Sequence, residues 1–90
     1  MMVEFDRNAV GVVIKRLRIK KHLSQEVLSG FAGIARSHLS MIENGAKQAN
    51  LETIWKISNA LQLTPSQVIQ MIEDEAALKI STDSPQKVSW

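Results

Sequence analysis

QEVLSGFAGIARSHLSMIEN, residues 25–44, is the stretch that decides the fold, because it holds two short helical patterns separated by a glycine. Ser24 stands directly before the first pattern and can cap a helix that begins at Gln25. Gly33 interrupts the pattern, and glycine readily takes backbone conformations that other residues disfavour. A second pattern follows over residues 36–44. The segment therefore predicts two short helices joined by a tight turn.

The second of these helices has a narrow apolar side and a wide polar one. At 100° per residue, Ala35, Leu39 and Ile42 share one side. The opposite arc carries Arg36, Ser37, Ser40, Met41 and Asn44, and the borders are His38 and Glu43. Few bulky side chains stand on this arc, so another surface could approach closely. Ordinary solvent-facing helices look alike in this respect, and the wheel alone identifies no partner.

The rest of the chain predicts three more helices and no convincing period-two strand. Apolar residues at i, i+3, i+4 and i+7 place a first helix at about residues 8–21, with Asp6 or Asn8 as its cap. Together with the pair in residues 25–44, this indicates an all-α fold of five helices.

The fourth and fifth helices follow a short loop. Asn50 can cap the fourth, which is expected to bury a stripe formed by Leu51, Ile54, Ile57 and Leu61. Thr64 and Gln67 form a capping box around Pro65, which favours a helix start. The fifth helix is expected to end near Leu78.

Length and composition limit the class of protein. We expect one domain over residues 1–80 and a flexible tail over residues 81–90, a polar stretch with one proline. The chain has no cysteine, which excludes disulfides and thiolate sites. No apolar run approaches the roughly 18 residues of a membrane span, and no signal peptide is recognisable. A cytoplasmic protein without membrane contact is expected.

The net charge of +2 conceals a gradient along the chain. Residues 1–22 hold six basic residues against two acids, whereas residues 51–79 hold two basic residues against four acids. A polyanion would therefore be accepted on one side only. Solvation of the first helix by lysine and arginine explains the same charges equally well, so charge alone leaves both interpretations open.

Residues 25–44 resemble the helix-turn-helix of the phage repressor/Cro-type (XRE-like) family of DNA-binding regulators. The similar positions include LSQ at the start of the second helix, Ala32 to Ile34 through the turn, and Glu43 to Gly45 after the third helix. Downstream, NLETIWKISNALQLTPSQVI is similar to the family's last two helices, so the resemblance covers about residues 10–72. It implies a compact five-helix, lambda-repressor-like domain. The layout is most similar to restriction–modification controller proteins and small phage-type repressors.

The resemblance also implies roles for individual residues, because the third helix of such domains enters the major groove of DNA. The base-reading residues would be Arg36, Ser37, His38, Ser40 and Met41. The residues that hold the DNA backbone would be Gln25, Asn44, Lys47 and Gln48. Arg36 is best suited to a bidentate contact with guanine. An ordinary half-exposed surface position explains His38 equally well.

Two further features follow from the same resemblance. Arg18 and Glu43 match an ion pair that ties the first helix to the third. Repressors of this type usually bind DNA as two-fold dimers, and the expected interface consists of Trp55, Ile69, Met71 and Ile72. The alternative for Trp55 is a place over the core of the single chain. Ala35 departs from the family, which usually has a capping side chain there.

These features predict a sequence-specific transcriptional regulator that binds a palindromic or pseudopalindromic operator on double-stranded DNA. It would bind as a homodimer, with the helix of residues 36–44 in the major groove. The alternative is an antitoxin or adaptor that uses the same fold to bind a protein partner, whose identity the sequence does not reveal. Catalysis is not expected, since Ser37 and His38 are neighbours on a helix and point about 100° apart. We likewise expect no metal site and no cofactor.

Overall fold

The computed structural model describes residues 3–83, with side chains described as far as Leu78, and all regular structure in this part is helical. The helices are α1 (Arg7–Lys20), α2 (Gln25–Ala32), α3 (Arg36–Glu43), α4 (Leu51–Ala60) and α5 (Pro65–Asp83). Helix α1 packs against α3 and α5, α2 packs against α3 and α4, and α4 packs against α5. The predicted all-α fold of five helices is confirmed.

The predicted caps fix the starts of three helices. Ser24 Oγ accepts a hydrogen bond of 3.1 Å from the backbone N–H three residues on, and Asn50 Oδ1 accepts one of 2.8 Å in the same way. Gln67 Oε1 accepts from the Thr64 N–H at 2.9 Å, and Thr64 Oγ1 accepts from the Gln67 N–H at 3.2 Å. Each bond satisfies an N–H group that a helix start leaves unpaired.

Helices α1, α2 and α4 end in the same backbone motif. A residue in the left-handed conformation follows each helix, namely His22 (φ 59°), Gly33 (φ 72°) and Gln62 (φ 63°). The N–H of the next residue bonds the carbonyl five positions back, in the pairs Leu23 to Arg18, Ile34 to Ser29 and Leu63 to Ser58. This is the Schellman arrangement. The apolar residue after each turn packs against the core, so each turn also aims the chain inward.

The core lies among all five helices, and its fully buried apolar side chains are Val13, Ile14, Leu28, Leu39, Ile42, Ile57, Leu61 and Val68. Gly11 of α1 is as important as these side chains. A Cβ at this position would overlap the backbone carbonyl oxygens of Ile42 and Glu43. The absence of a side chain at Gly11 therefore allows α1 to lie directly against the last turn of α3.

Two expectations about the outer helices were wrong in detail. Leu51 is 62% exposed, because it opens α4 at the edge of a surface groove and does not belong to the buried stripe. Helix α5 continues through Asp83, beyond the expected end at Leu78 and into the segment predicted as a tail. Once a helix has formed, each added residue gains a backbone hydrogen bond whether its side chain is polar or apolar. The polar composition of this segment therefore does not by itself end α5. Residues 84–90 of the predicted tail lie outside the described residues.

The left-handed residues predict opposite effects for two substitutions. His22→Gly should stabilise the protein by about 1 kcal/mol, because a residue with a Cβ pays roughly 1–2 kcal/mol in this conformation, while glycine loses part of that gain in chain entropy. Gly33→Ala should destabilise it by about 1 kcal/mol for the same reason. Urea unfolding of both variants measures the two changes. A loss of stability in His22→Gly would contradict the strain assigned to this turn.

Candidate nucleic-acid interface

Helix α3 is held to the core by its inner face. Leu39 and Ile42 are fully buried there, while Arg36, Ser37 and Met41 are exposed. Ala35 has the extended backbone of an N-cap but offers no side-chain hydrogen bond. The first N–H groups of α3 therefore have no side-chain cap, and the positive end of the helix dipole beside Arg36 favours a negatively charged partner.

The outward residues of α3 differ in exposure. His38 and Ser40 are half-buried, and Met41 is 38% exposed. Among the side chains that the structure describes, no hydrogen bond or ion pair joins Arg36 to a neighbour. An unpaired guanidinium at the start of the helix is thus available to an acceptor outside the protein. The predicted base-reading residues share one face, but nothing in the free protein tests their contacts with bases.

Glu43, at the end of α3, is engaged by α1. Arg18 Nε donates to Glu43 Oε2 at 2.7 Å and Arg18 Nη2 donates to Glu43 Oε1 at 3.0 Å, a bidentate pair. The Arg18 and Glu43 side chains are only 12% and 3% exposed. Hydrogen bonding to Glu43 raises the pKa of Arg18, burial lowers it by less, and the opposite charge adds to the rise. The acid on α3 is therefore neutralised inside the protein.

Two further hydrogen bonds connect this ion pair to the start of α2. Arg18 Nη1 donates to the Leu23 carbonyl oxygen at 2.8 Å, and Gln25 Nε2 donates to Glu43 Oε1 at 3.0 Å. The sequence assigned Gln25 to the DNA backbone and gave no signal of its bond to Glu43, which lies 18 residues away. With one amide N–H used internally, Gln25 retains its second N–H for an external acceptor.

The loop after α3 has a defined shape. Asn44 Oδ1 accepts from the Ala46 N–H at 2.9 Å, so this oxygen closes the loop. Gly45 has φ 80° and its α-carbon faces Asn8, where a Cβ would overlap the amide oxygen. Lys47 and Gln48 are exposed. The predicted backbone-holding residues thus lie at two places, Gln25 at the start of α2 and the other three after the end of α3. The hydrogen bond from Gln25 to Glu43 connects the first place to α3.

The residues expected at a dimer interface lie on a different surface. Trp55 is 53% exposed, which disfavours a place over the core, and Ile69 and Met71 are 42% and 37% exposed. Ile69 and Ile72 line an open, mainly apolar groove of about 470 Å³, together with Phe5 and Leu51. A single chain therefore leaves apolar surface uncovered on α4 and α5.

Metal binding finds no support in the described part of the chain. No group of three or more histidine, cysteine, aspartate or glutamate residues there is arranged to hold an ion.

Comparisons with known proteins identify relatives of the chain. Residues 14–68 match a family model described as helix-turn-helix. The control protein C.MunI of a Mycoplasma species is 38% identical over 66 residues, which cover 72% of this chain and 89% of the relative. The ImmF control region 10 kDa protein of Bacillus phage phi105 is 33% identical over 72 residues, covering 72% and 80%.

Solved structures share the fold. The restriction-modification controller protein C.AhdI from Aeromonas hydrophila superposes with a TM-score of 0.67 and 32% identity, over 69% of this chain and 94% of that one. The controller protein C.Esp1396I, solved as a tetramer in complex with its natural 35 base-pair operator, has a TM-score of 0.75 and 24% identity, over 82% and 97%. At that identity, the second likeness concerns the fold alone.

The buried ion pair predicts a large loss of stability when one partner is neutralised. Glu43→Gln should destabilise the protein by about 3 kcal/mol, because Arg18 would keep its charge without a carboxylate. Urea unfolding measures the change. The matched control is Glu75→Gln, which breaks the more exposed Arg16–Glu75 pair of 2.8 Å and should cost less than about 1 kcal/mol. Equal losses of unfolding free energy in the two variants would contradict the prediction that the buried pair contributes more to stability than the exposed one.

Proposed function

The chain belongs to the helix-turn-helix family, among regulators of the controller-protein type, and we propose that it binds specific sites on double-stranded DNA through α3. The observation that carries this proposal is the division of α3 into two faces. Its inner face is fully buried at Leu39 and Ile42, and its only acid, Glu43, is paired with Arg18. What remains outward is an unpaired Arg36 and an arc of small or polar side chains.

Placed in the major groove, this arc would read base edges. Arg36 stands at the N-terminal end of α3, which reaches deepest in such units, and can donate two hydrogen bonds to guanine. Ser37 and Ser40 can pair with several bases, and Met41 offers an apolar contact to a thymine methyl group. His38 is half-buried at the border of the arc and can reach either a base or a phosphate.

Residues on both sides of α3 would hold the DNA backbone and fix the register of the reading helix. Gln25 stands in the first turn of α2, where free N–H groups and the helix dipole favour a phosphate. Asn44, Lys47 and Gln48 follow the end of α3. The operator complex formed by C.Esp1396I, a controller protein of the same fold, supports DNA as the partner.

A second copy of the chain would complete the binding unit. One reading helix contacts few bases, whereas a two-fold dimer reads two half-sites about one helical turn apart. The exposed apolar side chains Trp55, Ile69, Met71 and the groove residue Ile72 are suited to a self-complementary interface. The operator would accordingly be palindromic or nearly so.

The surroundings of the protein follow from this role. No helix within residues 3–83 has the length and apolar character needed to cross a membrane. We place the protein in the cytoplasm, where bacterial and phage DNA is regulated. The alternative role is that of an antitoxin or adaptor that binds another protein. It would be favoured if the protein enriched no sequence from a random pool of DNA duplexes.

Arg36 and Lys47 should differ in how they affect DNA binding. Selection from a random duplex pool at physiological salt is expected to yield a palindromic motif for the unaltered protein. Arg36→Ala should lose discrimination at one base position of each half-site, at a cost of about 1–3 kcal/mol. Lys47→Ala should weaken binding to all sequences alike, because a phosphate contact carries no base information. A uniform loss in Arg36→Ala would contradict its reading role.

Trp55 should control the oligomeric state. Light scattering is expected to show a species of about 20 kDa, twice the 10.0 kDa chain, and Trp55→Glu should reduce it by placing a charge in the apolar patch. Trp55→Phe keeps an aromatic side chain and serves as the control that should retain the dimer. A monomer at high micromolar concentration in the unaltered protein would rule out this interface.

A further inference from the structure

The turn between α1 and α2 carries Lys20, Lys21 and His22, three consecutive exposed side chains that we call the basic corner. The sequence around it is one-sided in charge. From Arg7 to Gln25 there are six basic residues and no acid. Neither the base-reading nor the backbone-holding residues described above include the basic corner, so its charge has no assigned role.

The backbone of the basic corner is fixed by internal hydrogen bonds. The His22 N–H donates to the Ile19 carbonyl at 2.9 Å, and the Leu23 N–H donates to the Arg18 carbonyl at 3.1 Å. The Arg18 side chain closes the turn from the other side through its 2.8 Å bond to the Leu23 carbonyl. Because the turn is already ordered, a ligand that binds its side chains need not order the backbone.

The charges of the basic corner are uncompensated within the described structure. Three other cations have carboxylate partners: Arg16 bonds Glu75, Arg18 bonds Glu43 and Lys56 lies 3.6 Å from Glu52. Lys20 and Lys21 have no such carboxylate among the described side chains. Two adjacent unpaired lysines attract a polyanion more strongly than cations that already have internal partners.

The position of the basic corner indicates which polyanion it would bind. Leu23, which closes the turn, is bonded to Arg18, and Arg18 is bonded to Glu43 at the end of α3. Gln25, just beyond the turn, is bonded to the same Glu43. The basic corner therefore adjoins the start of α2, where Gln25 is proposed to hold a phosphate of the DNA. A duplex seated on α3 would continue past Gln25 toward Lys20 and Lys21.

We propose that the basic corner is an additional, sequence-independent binding surface for the phosphate backbone of double-stranded DNA. It lies outside the bases read by α3 and extends the contact beyond Gln25. This inference rests on the proposed function, because it assigns further contacts to the same DNA partner. Lys20 and Lys21 supply charge to the complex and take no part in choosing the sequence.

Salt dependence of binding to a short duplex of random sequence tests this proposal in the full chain. Log affinity falls as log salt rises, and each phosphate contact makes the magnitude of this negative slope larger by about 0.9. The double variant Lys20→Gln/Lys21→Gln should therefore have a slope that is less steep by about 1.8 between about 50 and 200 mM salt. It should also weaken binding by the same factor on random and on selected sequences. Fluorescence anisotropy of the labelled duplex measures both quantities.

Two control variants separate phosphate contacts from general charge. Arg16→Gln/Lys56→Gln removes the same charge from cations that already have carboxylate partners and should leave the slope unchanged. Lys20→Arg/Lys21→Arg retains the charge and should behave as the unaltered protein. Equal slopes in the unaltered protein and in Lys20→Gln/Lys21→Gln would overturn the proposal, and so would an equal decrease in the charge-matched control.

The outcomes also distinguish this inference from the proposed function. If the unaltered protein binds no duplex at all, both fail together. If it selects a motif but its salt slope does not depend on Lys20 and Lys21, only the basic corner is rejected. Thermal melting of each variant identifies a purely structural role, in which the two lysines support the end of α1. A lowered melting temperature with an unchanged slope would establish that role and overturn the proposal.

Discussion

The bidentate bond between Arg18 and Glu43 is the interaction on which the arrangement of α1, α2 and α3 depends. Arg18 holds the end of α3 with two donors and the α1–α2 turn with a third, while Gln25 reaches the same carboxylate from α2. The pair is nearly buried, so neither charge can be returned to water without separating the helices. It also neutralises the one negative charge of the helix proposed to approach phosphates, so the same contact would serve both folding and the proposed recognition of DNA.

The approach of α1 to α3 depends equally on a missing side chain. At Gly11 the backbone of α1 lies so close to the carbonyls of Ile42 and Glu43 that a methyl group would overlap them. Arg18 follows Gly11 by two helical turns on nearly the same face of α1. Both contacts involve Glu43, so the close approach and the ion pair together hold the last turn of α3 against α1 before any ligand arrives.

Local sequence patterns predicted much of the fold, and the features that they missed are two helix ends without glycine, the length of α5 and several tertiary contacts. The caps at Ser24, Asn50 and Thr64 act within three residues, so their chemistry is visible in the chain itself. His22 and Gln62 end helices in the left-handed conformation without glycine, and only the apolar residue after each hinted at the turn. The bond from Gln25 to Glu43 and the exposure of Leu51 depend on how helices meet, which periodicity does not describe. The contacts with DNA stay predictions, because no base is present to test them.

The uncovered groove beside α4 and α5 has a consequence for dosage. In the proposed dimer this apolar surface is buried only when two chains meet, so the active species forms in a second-order reaction. At low abundance its amount rises with the square of the chain concentration. A regulator built in this way responds weakly to the first copies made in a cell and steeply to later ones. The hydrophobic surface that one chain leaves exposed would then make the activity of the regulator depend steeply on how much of the protein has been synthesised.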